Sequence, residues 1–128
     1  MINQAQYDKA DELFADETVD NERSRGFSNI DAKGVTGMVR LFQTLRNAFP
    51  DHHIEINDLI AERDRVVALV TTTGTHHGEL LGVPGTGIPI KYVGVDIFRF
   101  RDGKVIEHWG ATSMLDFLTQ VGAWAPKE

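Results

Sequence analysis

The chain has 128 residues, no cysteine and a formal net charge of −6, with a pI of about 5.3. The missing cysteines exclude disulfides, thiolate catalysis and cysteine-ligated metals. The acidic balance, with no basic run, argues against nucleic acid and anionic membranes as partners. A composition of 41% hydrophobic and 25% charged residues is that of a globular protein. The length predicts a single domain over residues 1–128. No stretch is apolar and long enough to span a bilayer. Met1 to Gln6 lacks the basic start and apolar run of a secretory signal, so the cytoplasm is the expected compartment.

In chain order, Tyr7, Ala10, Leu13 and Phe14 fall on one stripe at helical spacing and predict a short helix from about Gln4 to Ala15. Residues 16–33 are polar and aperiodic, which predicts a long loop. Val35, Met38, Val39, Phe42, Leu45 and Phe49 give the buried face of a second helix, stopped by Pro50. The period then shortens to two. Strands are predicted over 53–62, 65–77, 89–101 and 104–111, with turns at Arg63-Asp64 and Asp102-Gly103 and a loop at residues 82–87. A last helix spans about Thr112 to Val121, capped by Gly122. Helices first, an antiparallel meander next and one closing helix predict an α+β fold.

Asp96 is the feature that points to chemistry. Alternation along the strand puts it on one face with Tyr92, Gly94, Phe98 and Phe100. A carboxylate among aromatic rings is costly unless it is paired or lines a polar cavity. Such surroundings suit acid–base work, because burial moves a carboxyl group towards neutrality. His76, at a strand end, has the chemistry of a proton shuttle. It would pair with Asp96 if their strands are neighbours with matching faces. His77 points the other way. The adjacent pairs His52-His53 and His76-His77 cannot readily chelate, since neighbouring strand residues point apart, so no metal is expected. The glycines at 82, 85 and 87 do not form a dinucleotide fingerprint, because no helix follows them.

Several blocks resemble the SnoaL-like polyketide cyclases. They are Ala48-Phe49-Pro50-Asp51, the run 59–67, Gly74-Thr75-His76-His77-Gly78 with residues 81–87, the run Asp96 to Trp109, and Gln120-Val121-Gly122. The resemblance implies a cone-shaped barrel: a curved antiparallel sheet with helices closing an apolar cavity, the nuclear-transport-factor-2-like fold. It implies cofactor-free acid–base catalysis on a small apolar carbonyl or polyketide-type compound by aldol cyclisation, isomerisation or hydration. It also implies a homodimer through the outer sheet face.

Two departures from the family stand out. The family's acid–base aspartate maps to Gly110, and a second common aspartate maps to Ser113. The family's longer first helix, before the segment matching Ala10 to Asn21, is mostly absent.

The mapping of Gly110 makes the face of Ile106, His108 and Gly110 the cavity face. His108 then joins Asp96 and His76 as a catalytic candidate. Phe42, Tyr92 and Phe98 become apolar walls, Gly110 enlarges the cavity, and Asn21 matches a family position that enters the cavity from the loop. Trp109, on the opposite face, is expected in a core or an interface. Loss of the family's base also leaves open a non-catalytic binding module. Epoxide hydrolysis would need further carboxylates, for which Asp20 and Glu22 are the candidates.

Overall fold

The computed structural model describes residues 3–4, 6–21 and 34–124, with Asp20 described by its backbone. The expected meander is present as β2 (His53–Glu62), β3 (Arg65–Thr75), β4 (Pro89–Arg101) and β5 (Lys104–Thr112). All three successive pairings are antiparallel. At the β4–β5 turn Asp102 and Gly103 have φ of 52° and 78°, the two positive angles that a two-residue type I′ hairpin requires.

The N-terminal expectation is corrected. A 3₁₀ turn (Tyr7–Lys9) leads into a four-residue helix, α1 (Ala10–Leu13), and the chain then becomes a strand, β1 (Phe14–Asp20). Ala10 and Phe14 are buried as the stripe requires, but Leu13 is exposed. The strand was hidden because Asp16 and Glu17 break the apolar alternation, and because its register slips between Phe14 and Val19. β1 pairs in parallel with β5, so the sheet is mixed rather than wholly antiparallel. The remainder of the expected loop, residues 22–33, lies outside the described residues.

The five strands run in the order β1-β5-β4-β3-β2. Irregularities between Ile56 and Asp58 and between Arg99 and Phe100 interrupt the ladders, as bulges do where a strand bends. The α+β class holds. The sheet curves without closing, and β1 and β2 remain its two edges. The β2 edge is blunted. The Asn3 side chain accepts from the Ile54 N–H (2.7 Å) and donates to the Ile54 carbonyl (3.0 Å), as a neighbouring strand would. Further along, the Asp58 carboxylate accepts from the Leu59 N–H at 2.9 Å. Covering an edge in this way limits pairing with other chains.

Helix α2 (Gly34–Ala48) buries Met38, Leu41 and Ala48. Its first half belongs to one cluster, with Ala10, Phe14, Met38 and Val105. Its second half feeds a second cluster of Leu41, Ala48, Phe49, Leu80, Ile90, Tyr92, Phe117 and Val121. Helix α3 (Met114–Gln120) closes that second cluster through Phe117. It ends as its glycine predicts. The Ala123 N–H donates to the Leu118 carbonyl and the Gly122 N–H to the Thr119 carbonyl, with Gly122 at φ 76°. The Gln120 side chain then docks on β4, accepting from the Lys91 N–H at 2.8 Å and donating to the Lys91 carbonyl at 2.7 Å. These bonds account for the closing Gln-Val-Gly sequence.

Candidate active site

Alternation along β4 turns Tyr92, Gly94, Asp96 and Phe98 to the concave side of the sheet, as the sequence requires. Helix α2 lies over them with Met38, Leu41, Phe42 and Leu45. Together they enclose a cavity of about 130 Å³. An engineered apolar cavity of about 150 Å³ holds benzene, so this space suits one small ring or a short chain.

Asp96 and His108 meet at the cavity wall. His108 Nε2 lies 2.8 Å from Asp96 Oδ1. With the carboxylate ionised, Nε2 carries the proton and donates it. The imidazole is 5% exposed and the Asp96 side chain 27%, so the carboxylate is the more open of the two groups. The pairing is diagonal. Across β4 and β5, Asp96 stands opposite Gly110 and Phe98 stands opposite His108. The His108 ring stacks on Phe98, with centroids 5.0 Å apart and planes at 30°. This ring fixes the imidazole plane from one side while Asp96 holds its edge. The pair therefore has the geometry of a carboxylate base oriented by a hydrogen-bonded imidazole in apolar surroundings.

His76 is placed elsewhere, so its pairing with Asp96 is corrected. Ala68 is the β3 residue opposite Asp96, whereas His76 follows the far end of that strand. It is 0% exposed and sits among Phe49 and Phe117, with ring centroids 6.0 Å and 5.1 Å away. Its Nδ1 lies 3.0 Å from Thr86 Oγ1, and its carbonyl accepts from the N–H groups of Thr86 and Gly87. The loop at 82–87 thus wraps His76 into the second core cluster. Adjacent His77 is exposed, as alternation requires.

Phe42, Tyr92 and Phe98 line the cavity. Gly110 lies opposite Asp96 but is not among the lining residues. Asn21 is also corrected. Its amide does not reach into the cavity but donates to Glu107 Oε2 (3.2 Å) and to the His108 carbonyl (3.1 Å). The β1–β5 register sets the backbone of Asp20 beside His108. Glu22 lies outside the described residues. Phe14, Ile54, Val70, Thr72 and Thr112 also line the cavity and were missed by sequence reasoning. The β3–β4 register, which only the structure supplies, sets Val70 and Thr72 opposite Gly94 and Tyr92.

A third histidine was also missed. His52, between α2 and β2, is 3% exposed and stacks on Phe49 at 6.3 Å, and neither ring nitrogen has a hydrogen-bond partner among the described residues. Burial, reinforced by the Arg46 charge, pushes its pKa down from 6.5 to about 4, so it is neutral at pH 7. Among the described residues no three His, Asp or Glu side chains gather as metal ligands would. Nor is any helix among them long and apolar enough to cross a membrane.

This architecture recurs in solved structures. TsrD of Streptomyces laurentii is 25% identical with a TM-score of 0.86, over 96% of this chain and 87% of its own. AclR of Streptomyces galilaeus, a candidate hydroxylase, is 31% identical with a TM-score of 0.80, over 98% of this chain and 76% of its own. IdmH of Streptomyces antibioticus, a candidate polyketide cyclase, is 27% identical with a TM-score of 0.80, over 94% of this chain and 90% of its own. No curated protein sequence matches the chain. The family model of the SnoaL-like polyketide cyclases matches residues 1–121. With that match spanning nearly the whole sequence, and the same fold in the solved structures, the chain belongs to the SnoaL-like polyketide cyclase family.

Proposed function

We propose that this protein is a cofactor-free acid–base enzyme of the cyclase or isomerase type, acting on a small apolar carbonyl compound. The observation that carries the reading is the 2.8 Å contact between His108 and Asp96 inside an apolar cavity. Asp96 removes a proton from the carbon next to a carbonyl, and the electron pair passes to the carbonyl oxygen as an enolate. His108 holds the carboxylate in place through its Nε2 hydrogen bond. Where the carbonyl is conjugated, the enolate takes the proton back from Asp96 at a more distant carbon, which is isomerisation; otherwise it attacks a second carbonyl and the resulting alkoxide takes the proton from Asp96, which is ring closure. Both proton acceptor and proton donor are side chains, so the cycle needs no added group.

The cavity's size sets the probe. Acetophenone in D₂O reports α-proton exchange by NMR. The protein is expected to accelerate that exchange, and Asp96→Asn to abolish the acceleration while the thermal midpoint is retained. Equal exchange with wild type and Asp96→Asn would remove Asp96 from the mechanism. Gly110 at the family's base position favours a second reading, a carrier that binds without converting. Tight acetophenone binding with no exchange at any pH supports that alternative.

The same proposal includes a homodimer through the outer sheet face. Leu69, Val93 and Val95 there are 40%, 46% and 37% exposed. Val93→Glu is expected to halve the mass measured by light scattering. A monomeric wild type would end this part of the reading. The cytoplasm remains the proposed compartment.

A further inference from the structure

The convex side of the sheet carries a polar chain directly behind His108. Arg99 on β4 donates to Glu107 Oε1 at 2.9 Å. The other oxygen of Glu107 accepts from Asn21 Nδ2 at 3.2 Å. The same Asn21 nitrogen donates to the His108 carbonyl at 3.1 Å, and the Asn21 backbone N–H donates to that carbonyl at 2.9 Å. Three strands therefore converge on one peptide group. Asn21, the residue after β1, contributes the donors, β5 the carbonyl of His108, and β4 the arginine that orients Glu107.

The arrangement matters because β5 is held unequally on its two sides. Its pairing with β4 runs in register from Gly94–Thr112 to Arg99–Glu107. Its pairing with β1 is slipped, and in-register contact returns only at Val19 and Asp20. On the β1 side the His108 carbonyl accepts from the residue-21 backbone N–H, beside the Asp20–His108 pair, and the Asn21 side chain adds a second donor to the same oxygen. The imidazole reaches Asp96 on a diagonal, where a small rotation of the peptide lengthens a 2.8 Å contact. Hydrogen bonds weaken steeply with misalignment, and catalytic geometry tolerates shifts of only about 0.5 Å.

We infer that Asn21 and Glu107 are positioning residues for His108: they touch neither cavity nor substrate, and they set the imidazole against Asp96 by clamping the His108 peptide from the convex face. The inference rests on the Asp96–His108 reading for its catalytic meaning, but its structural content is testable without turnover.

The readout is the His108 side chain, followed by NMR in the full chain with ¹⁵N-labelled histidine. In wild type the Nε2 proton, held against Asp96 at 2.8 Å, is expected to exchange slowly with water. Asn21→Ala removes both side-chain bonds. Asn21→Asp keeps the shape but turns the donor into an acceptor facing Glu107 and the His108 carbonyl. Both variants are expected to speed Nε2-proton exchange more than threefold, Asn21→Asp the more. Acetophenone exchange is expected to fall through kcat, with KM unchanged. Arg65→Ala, which removes a different convex-face cation, serves as the control and leaves the Nε2 signal as in wild type. Its guanidinium sits over Trp109 at 5.3 Å.

A change smaller than threefold in both Asn21 variants overturns the inference. So does an equal change in Arg65→Ala, which would mean general loosening of the sheet. If Asp96→Asn leaves ketone exchange untouched while Asn21→Asp still frees the Nε2 proton, the acid–base reading fails and the clamp stands. The converse result removes the clamp alone.

Discussion

Gly110 is the direct cross-strand partner of Asp96, and its missing side chain leaves the diagonal from Asp96 to His108 clear. Directly opposed side chains on one sheet face lie about 4.5–5.5 Å apart at Cβ, so any larger residue at 110 would contend with His108 for the same carboxylate.

Gly110→Val tests that relationship. A β-branched residue suits a strand, so the thermal midpoint is expected to hold or rise. Its side chain should intrude between Asp96 and His108, and α-proton exchange of acetophenone should drop at least tenfold. Full activity in a folded Gly110→Val protein would show that the clear diagonal is unimportant.

His52 predicts an acid-labile fold. Its folded pKa, about 4, lies below its ordinary value of 6.5, so the unfolded chain binds more protons between these limits. Its contribution is fully present above pH 6.5 and is lost as the pH falls towards 4. By linkage, this one group should cost about 2 kcal/mol of stability between pH 7.5 and pH 5. Urea unfolding of wild type and His52→Leu at both pH values checks it. The variant should lose that much less on acidification, and parallel losses would refute the assignment.

Phe49 is the hub of the second cluster, in contact with His52, His76 and Phe117. It is 0% exposed. Phe49→Ala should destabilise the fold by about 3–5 kcal/mol, the usual range for a large buried aromatic. The midpoint of denaturant unfolding reads this directly. A loss under 1 kcal/mol would mean that the cluster collapses into the space.

Asp51 holds the end of β3 through Thr75. Its two oxygens accept from the Thr75 N–H and hydroxyl, both at 2.7 Å. The hydroxyl bond first, then the backbone bond, draws its pKa below the ordinary carboxylate value. Stability from this group is therefore present above the ordinary carboxylate pKa and lost as the pH falls through its lowered value. Asp51→Ala should cost about 1 kcal/mol at pH 7, since the site is exposed and water replaces part of each bond. Equal stability of variant and wild type at pH 7 would show that water replaces both bonds in full.

The local sequence determined much of this molecule. Alternation around Ile54, Val70 and Tyr92, the Asp-Gly turn and the Gly122 cap placed four strands and two helices. In each case the cause is short-range: side-chain period, turn angle or cap. The same alternation put Asp96 on the concave face, and the family mapping of Gly110 put His108 there with it. β1 was not legible, because an edge strand with three carboxylates among seven residues has neither period, and its parallel partner lies some ninety residues on.

Tertiary structure alone decided which histidine meets Asp96. His76 and His108 have the same chemistry, but the β3–β4 register carries His76 to the far end of the sheet, whereas the β4–β5 register brings His108 onto the Asp96 diagonal. Asn21 went to the back of His108 rather than into the cavity for the same reason. Strand register is a long-range property, fixed by packing against α2 and by bulges, and no local pattern encodes it.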